Sequence, residues 1–193
     1  MILTEDTDMR KDFGAKPWLY PMPVLMIASY GADGTPNVMN AAWGGISEEA
    51  EISMCLSAEH KTVENILSRR AFTVSVGTAD YATACDYVGI VSGNDTADKF
   101  ARAGFHASPA AKVDAPVIDE LPMALECELV SYDAESCRMV GRIVNVSADE
   151  SVLTNGKIDP AKLRPIVYDP VNHDYLVLGE KVGNAFKDGL QLK

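Results

Sequence analysis

Along most of the chain, apolar and polar residues follow the two-residue period of β-strands, and only a few short stretches shift to helical spacing. The run PVLMIASYG, from Pro23, has strand composition. GADGTPN collects the Gly, Asp, Pro and Asn of a turn, and VMNAAW reads as the returning strand. In EISMCLS, Ile52, Met54 and Leu56 fall on one face by alternation, which predicts another strand. Thr62 is placed to cap a short helix over VENILSRR, whose Val63, Ile66 and Leu67 recur at helical spacing. AFTVSVG is a further strand, and TADYATACDYVGIVSG, with few breakers before Gly89, is predicted helical. A second short helix is expected in DTADKFARAG, opened by Asp95 or Thr96 and stopped by Gly104.

The second half is richer in strands. In MALECELVSYD, Leu125, Cys127 and Leu129 alternate with Glu126 and Glu128, which predicts one buried and one wet face. RMVGRIVNVSA is the expected antiparallel partner across the polar turn DAES. A short helix from about Pro160 to Leu163 and a last hairpin, from PIVY to YLVL around DPVNHD, complete the pattern. Many short strands with two or three short helices predict a mainly β fold with helical insertions, a β-barrel and not a doubly wound sheet. No repeat, low-complexity tract or linker divides the chain. The expected organisation is a loose N-terminal arm over residues 1–15 and a single domain over residues 16–193.

Composition narrows the function classes. At 193 residues and 47% hydrophobic content the chain can bury a core unaided. No stretch reaches the roughly 18 apolar residues of a membrane helix, and MILTEDTDMRKDFGA has no apolar centre of a signal peptide, so a cytoplasmic protein without a membrane partner is expected. Seventeen Lys and Arg against 28 Asp and Glu give a net charge of −11, which repels a polyphosphate backbone and argues against nucleic acid. An anionic ligand would need cations gathered locally. Cys55, Cys85, Cys127 and Cys137 are widely spaced and form no metal-ligand pattern, so no metal site is expected. They read as reduced, mostly buried thiols, and a dithiol role would require two of them to meet in the fold.

Three segments taken together carry a resemblance. They are PVLMIASYGADGTPNVMNAAW, LSAEHKTVENI and SGNDTADKFARAGF, in this order. The combination resembles the flavin reductase-like, FMN-binding split β-barrel family, most closely its flavoredoxin branch, over about Lys16 to Phe186. The resemblance implies a homodimer with FMN near the subunit interface. It also implies electron transfer from NADH, NADPH or another donor to free flavin, ferric iron or a redox protein partner. By resemblance, Asn37, Asn40 and Trp43 line the flavin ring. His60, Lys61 and Thr62 form the phosphate turn, Lys99 is a basic group near the flavin, and Phe186 is the aromatic residue near the C-terminus. Met39 and Ser57 complete the implied cofactor-binding set. Two positions depart from the family pattern. Many relatives carry Arg or Tyr where this chain has His60 and Lys61, and several carry His where it reads SCRMVG.

The residues themselves are compatible with this chemistry. A helix start preceded by EHKT offers free backbone amides, the positive end of the helix dipole, a hydroxyl and a cation to a phosphate. The same residues serve equally as an N-cap and a solvated charge. Asn37 and Asn40 could present amides to the polar edge of a flavin or simply build a turn. Trp43 suits ring contact or a core. On DKFARAG, Phe100 and Ala103 are expected to face inward, with Lys99 and Arg102 together on another side. There Lys99 either steadies the charge of reduced flavin or sits on a solvated face. No acid, base or nucleophile is assigned, because the flavin itself performs the transfer.

Three function classes follow. The first is an FMN-dependent oxidoreductase, as a flavin or ferric reductase or as a flavoredoxin relaying electrons between proteins. The second is a non-enzymatic module that stores or senses FMN or another planar cofactor. Three histidines without a partner motif argue against haem. The third is a barrel without cofactor. The absence of G-x-G-x-x-G after a strand means that any nicotinamide nucleotide would bind without the usual fingerprint.

Overall fold

The computed structural model describes residues 10–193; most of the expected arm, residues 1–9, lies outside them. Residues 10–21 run exposed and without regular structure. Strands β1 (Met22–Pro23), β2 (Leu25–Tyr30), β3 (Pro36–Ala41), β4 (Gly44–Glu48) and β5 (Glu51–Cys55) lead to helix α1 (Lys61–Arg69). β6 (Ala71–Val76) follows, then a 3-10 turn that runs into α2 (Ala82–Ile90), and the one-turn α3 (Lys99–Arg102). After β7 (Ala107–Pro109) and β8 (Pro116–Ile118) come the long strands β9 (Met123–Asp133) and β10 (Arg138–Ala148). The chain continues with β11 (Leu153–Thr154), β12 (Lys157–Ile158), α4 (Pro160–Leu163) and the hairpin β13 (Ile166–Asp169) and β14 (Asp174–Val177), and a 3-10 turn over Asp188–Leu192 follows.

Seven strands form one antiparallel sheet in the order β3-β2-β6-β9-β10-β5-β4. It curls into half a barrel, the split β-barrel expected from the sequence. Its concave side holds Ile27, Met54, Leu56, Phe72, Leu129 and Met139, closed by Val63 and Ile66 of α1. A second core lies on the other side of β2 and β3, where Met26, Ala28 and Val38 pack against Val88, Phe100 and Ile118. β2 is therefore covered on both faces, which is why it reads as a continuous apolar run and not as an alternation. The concave core is packed closely enough that a Cβ on Gly141 would lie 2.3 Å from Phe72 Cζ.

Ile52, Met54 and Leu56 are buried on one face as the alternation predicts. Several finer expectations are corrected. Thr62 does not cap α1; His60 holds the N-cap position with no side-chain cap, and Thr62 is buried inside the first turn. Leu67 is 44% exposed, because a nine-residue helix presents only Val63 and Ile66 squarely to the core. Asp98 holds the N-cap position of α3, not Asp95 or Thr96, while Gly104 ends that segment with φ +78°. Glu126 is not on a wet face. It is buried, accepting the Lys112 backbone N–H and the Asn145 side-chain amide, each at 2.6 Å, because the β7–β8 segment wraps over that side of β9. β4 was not anticipated: Gly44 and Gly45 break its alternation, and Gly44 is required because a Cβ there would meet Met54 Cγ at 2.8 Å. Of the four thiols, only Cys85 and Cys127 are buried.

Candidate functional site

Among the described residues β3 is the terminal strand of the sheet, bonded only to β2, and three recesses open in sequence along it and the stretch of residues 42–44 that follows. The first, about 230 Å³, is walled by Asn37, Lys61, Asn65 and Gly93. The second, about 250 Å³, lies by Asn40, Asp86, Gly89 and Tyr175. The third is a groove of about 710 Å³ bounded by Trp43, Met54, Cys55, Arg138 and the N-terminal residues Trp18 and Leu19.

The first recess adjoins the start of α1. Amides in the first helical turn have no carbonyl four residues back, and no side chain caps them here. Asn37 donates through Nδ2 to Thr62 Oγ1 at 2.7 Å, with both side chains buried. The loop after α2 closes the other wall. A Cβ on Gly93 would lie 2.4 Å from Asn37 Oδ1 and 3.2 Å from Lys61 Cβ. Asn94 ties this loop to the turn before α1 by donating to the Glu59 carbonyl at 2.9 Å, and the Ser57 carbonyl accepts from the His60 N–H at 3.2 Å. Lys61 pairs with Glu64 at 2.7 Å. Such a surface ion pair is worth about 1 kcal/mol or less and leaves the ammonium free to turn toward a stronger anion. The site thus combines an uncapped helix start, a cation and a close backbone approach, which together suit a phosphate.

In the second recess Asn40 donates to the Cys85 carbonyl at 3.1 Å and to the Tyr175 hydroxyl at 3.4 Å. Tyr175 in turn donates to Asp86 at 2.9 Å. Burial, and then the hydrogen bond to Asp86, push the Tyr175 phenol up to about 12. Asn37 and Asn40 therefore do not act as a pair. Residues three apart on a strand point to opposite faces, so Asn37 turns to α1 and Asn40 to α2. In the groove, Trp43 is 56% exposed and is not a core residue.

The remaining expected residues are dispersed. Met39 packs in the concave core, and His60 and Ser57 lie in the turn before α1. Lys99 does not share a solvated side with Arg102. It is 4% exposed, and its ammonium donates to the carbonyls of Val88 and Val91 at 3.2 and 2.8 Å, closing the end of α2. Burial lowers its pKa to about 8. Arg102 stays outside, paired with Asp98 at 2.9 Å. A single-turn helix is too short for the i, i+3 argument to fix a face. Phe186 is fully exposed on the C-terminal tail beyond β14, with φ +63°, and lines none of the three recesses. Sequence reasoning missed Asn65, Gly93, Asp86 and Tyr175. Gly93 and Asn94 could have been found as the turn residues of SGND, but the other three carried no local signal.

The model of the flavin reductase like domain matches residues 18–172. The structure of flavoredoxin of Desulfovibrio vulgaris (Miyazaki F) is similar at 37% identity and a TM-score of 0.90, covering 94% of this chain and 100% of that one. Flavoredoxin from Methanosarcina acetivorans is similar at 25% identity and a TM-score of 0.86, covering 96% and 100%. An FMN-binding domain of a flavin reductases-like enzyme from Shewanella baltica OS155 shares the fold at 23% identity and a TM-score of 0.75, covering 84% and 88%. No curated protein matches the chain.

Proposed function

The chain belongs to the family of flavin reductase-like domains, and we propose from that premise that it holds FMN and works as an FMN-dependent oxidoreductase. The observation that carries this reading is the first recess. There the start of α1 is uncapped and Lys61 stands beside it, while the Gly93 backbone approaches so closely that any side chain would fill the space. The residues present fit the phosphate of FMN: the amides of Lys61 and Thr62 donate, Lys61 supplies the charge, and Asn37 holds the Thr62 hydroxyl in place. In a chain of net charge −11 this local arrangement answers the need for a gathered cation.

Bound FMN supplies hydride and single-electron transfer, and the protein supplies position and access. The outer edge of β3 offers backbone groups without a sheet partner, and Trp43 offers an exposed aromatic face in the adjoining groove. Met39 supports β3 from the concave core beneath it, and Ser57 and His60 shape the phosphate turn. Lys99 acts on this reading by holding the end of α2 beside the second recess. Phe186 would have to reach the flavin of a second copy, which fits a homodimer, and sedimentation analysis tests that assembly.

Titration of the apoprotein with FMN, followed by the visible flavin spectrum, tests the cofactor. Lys61→Ala is expected to weaken FMN about tenfold or more, since charge-assisted bonds contribute about 1.5–3 kcal/mol, while leaving riboflavin, which lacks the phosphate, unchanged. Equal loss for both flavins would remove the phosphate assignment.

The electron donor divides two forms of the proposal. Rapid bleaching of the flavin by NADH or NADPH without oxygen identifies a reductase. Reduction only by a protein donor identifies a relay, the form favoured by the 37% identity to a flavoredoxin. Among the described residues no helix is long and apolar enough to cross a membrane. A cytoplasmic site of action is part of the proposal.

A further inference from the structure

We propose that Cys55 and Cys137 form a redox-active dithiol on the rim of the large groove, closing to a disulfide when the protein meets a low-molecular-weight disulfide such as oxidised glutathione. The two residues are distant in sequence but share one end of the β5–β10 ladder. Cys55 pairs with Arg138, and the next residue, Leu56, donates its N–H to the Cys137 carbonyl at 2.8 Å. The two cysteines are thus diagonal neighbours on adjacent strands. With strands about 4.8 Å apart and a rise of about 3.4 Å per residue, their Cα atoms are about 6 Å apart. A disulfide spans about 4.4–6.8 Å.

A regular ladder would send the two side chains to opposite faces, but Cys137 is not regular. Its φ of +57° is left-handed, at the close of the turn between β9 and β10. The result is that both sulfurs are aimed at that turn. Cys55 Sγ is 3.9 Å from the carbonyl oxygen of Ser136, the peptide unit that leads into Cys137, and Cys137 Sγ is 3.8 Å from the Ala134 carbonyl. The Tyr132 hydroxyl donates to the carbonyl of Leu56, the residue after Cys55, at 2.8 Å and so fixes the strand end that carries this thiol.

Accessibility separates this pair from the other two cysteines. Cys55 is exposed and Cys137 half-buried, whereas Cys85 and Cys127 are buried, and burial pushes their thiols up to about 11 and about 12. Only the thiolate is nucleophilic, so the buried pair is inert. Cys55, Ser136 and Arg138 all line the groove, so an oxidant entering it meets Cys55 first, with Cys137 between Ser136 and Arg138 in sequence to resolve it.

The chemistry balances as two thiol–disulfide exchanges. The Cys55 thiolate attacks one sulfur of oxidised glutathione, making a mixed disulfide and releasing one glutathione thiol. The Cys137 thiolate then attacks the Cys55 sulfur, forming the Sγ–Sγ bond and releasing the second. Two electrons pass from the protein to the oxidant, and the two thiol protons leave on the two glutathione molecules.

The test uses the full chain as purified, equilibrated with a reduced and oxidised glutathione pair. The expected result is that native-state thiol titration falls from two reactive thiols to none. The intact mass falls by two hydrogens, and a non-reducing peptide map joins Cys55 to Cys137. In Cys55→Ser and in Cys137→Ser, the remaining thiol is expected to keep one glutathione as a mixed disulfide. Glutathione on both cysteines of one wild-type molecule, a bond between two chains, or an unchanged thiol count would each overturn the proposal. If a variant fails to fold, the wild-type map alone decides.

Discussion

Gly93 and Lys99 show how single residues set the conditions of the site. A methyl group at position 93 would lie 2.4 Å from Asn37 Oδ1, and Asn37 cannot simply rotate away because its amide is bonded to Thr62 in a buried position. Gly93→Ala is therefore expected to destabilise the protein by about 1–3 kcal/mol, the cost of an unmade buried hydrogen bond. Urea unfolding should show that loss shrinking in the Asn37→Ala background, since the two changes share one contact. Lys99 gives a pH dependence. Its folded pKa is lowered to about 8 from 10.5, so the buried charge weighs against the fold below pH 8 and is relieved as pH rises. Cys85, Cys127 and Tyr175 are raised instead, and the stability they contribute is lost as pH climbs through about 9 and above. Stability should thus rise by on the order of 1 kcal/mol from pH 8 to 9 and fall beyond it. In Lys99→Met the rise should vanish while the fall remains, as read by unfolding midpoints across pH.

At the scale of the element, α1 trades stability against binding. A helix that begins without a side-chain cap forgoes about 1 kcal/mol. His60→Asp supplies that cap and complements the dipole, so the apoprotein should melt higher. The same carboxylate would stand where the phosphate of FMN is proposed to sit, so FMN should bind more weakly. Thermal melts and flavin titration of the one variant read both effects, and a gain in both stability and affinity would argue against the phosphate site. The helix as a whole was legible from the spacing of Val63 and Ile66, which does not depend on which residue caps it. The placement of α3 was less so, because four residues cannot establish a periodicity.

Across the whole molecule, the segment ahead of β1 is tied to the β13–β14 hairpin through Asp169. It accepts from the Tyr20 hydroxyl, from Asn172 Nδ2 at 2.8 Å and from the Val171 N–H at 2.8 Å. These bonds, that of Tyr20 foremost, hold its carboxyl down at about 2. A lowered carboxylate contributes stability that is present above about pH 4 and is lost as pH falls through about 2. Tyr20→Phe removes the largest of these contacts, so the arm ahead of β1 should loosen. Limited proteolysis at Lys16, which also walls the large groove, should be faster in the variant at neutral pH. Equal cleavage rates in the two proteins would show that the tether does not hold the arm.

What the chain determined by itself was local. Period-two alternation identified the strand of Ile52, Met54 and Leu56 and the β9–β10 hairpin, turn residues marked the bends, and the spacing of Val63 and Ile66 marked α1. Each of these depends on neighbours within one turn or one strand. The tertiary structure decided which face of β3 each asparagine serves, that Lys99 closes α2, that Glu126 is buried under a crossing segment, and that Cys55 and Cys137 lie diagonally across the β5–β10 ladder. Those outcomes depend on register between strands distant in sequence and on what covers each face. Spacing along one strand carries no record of either.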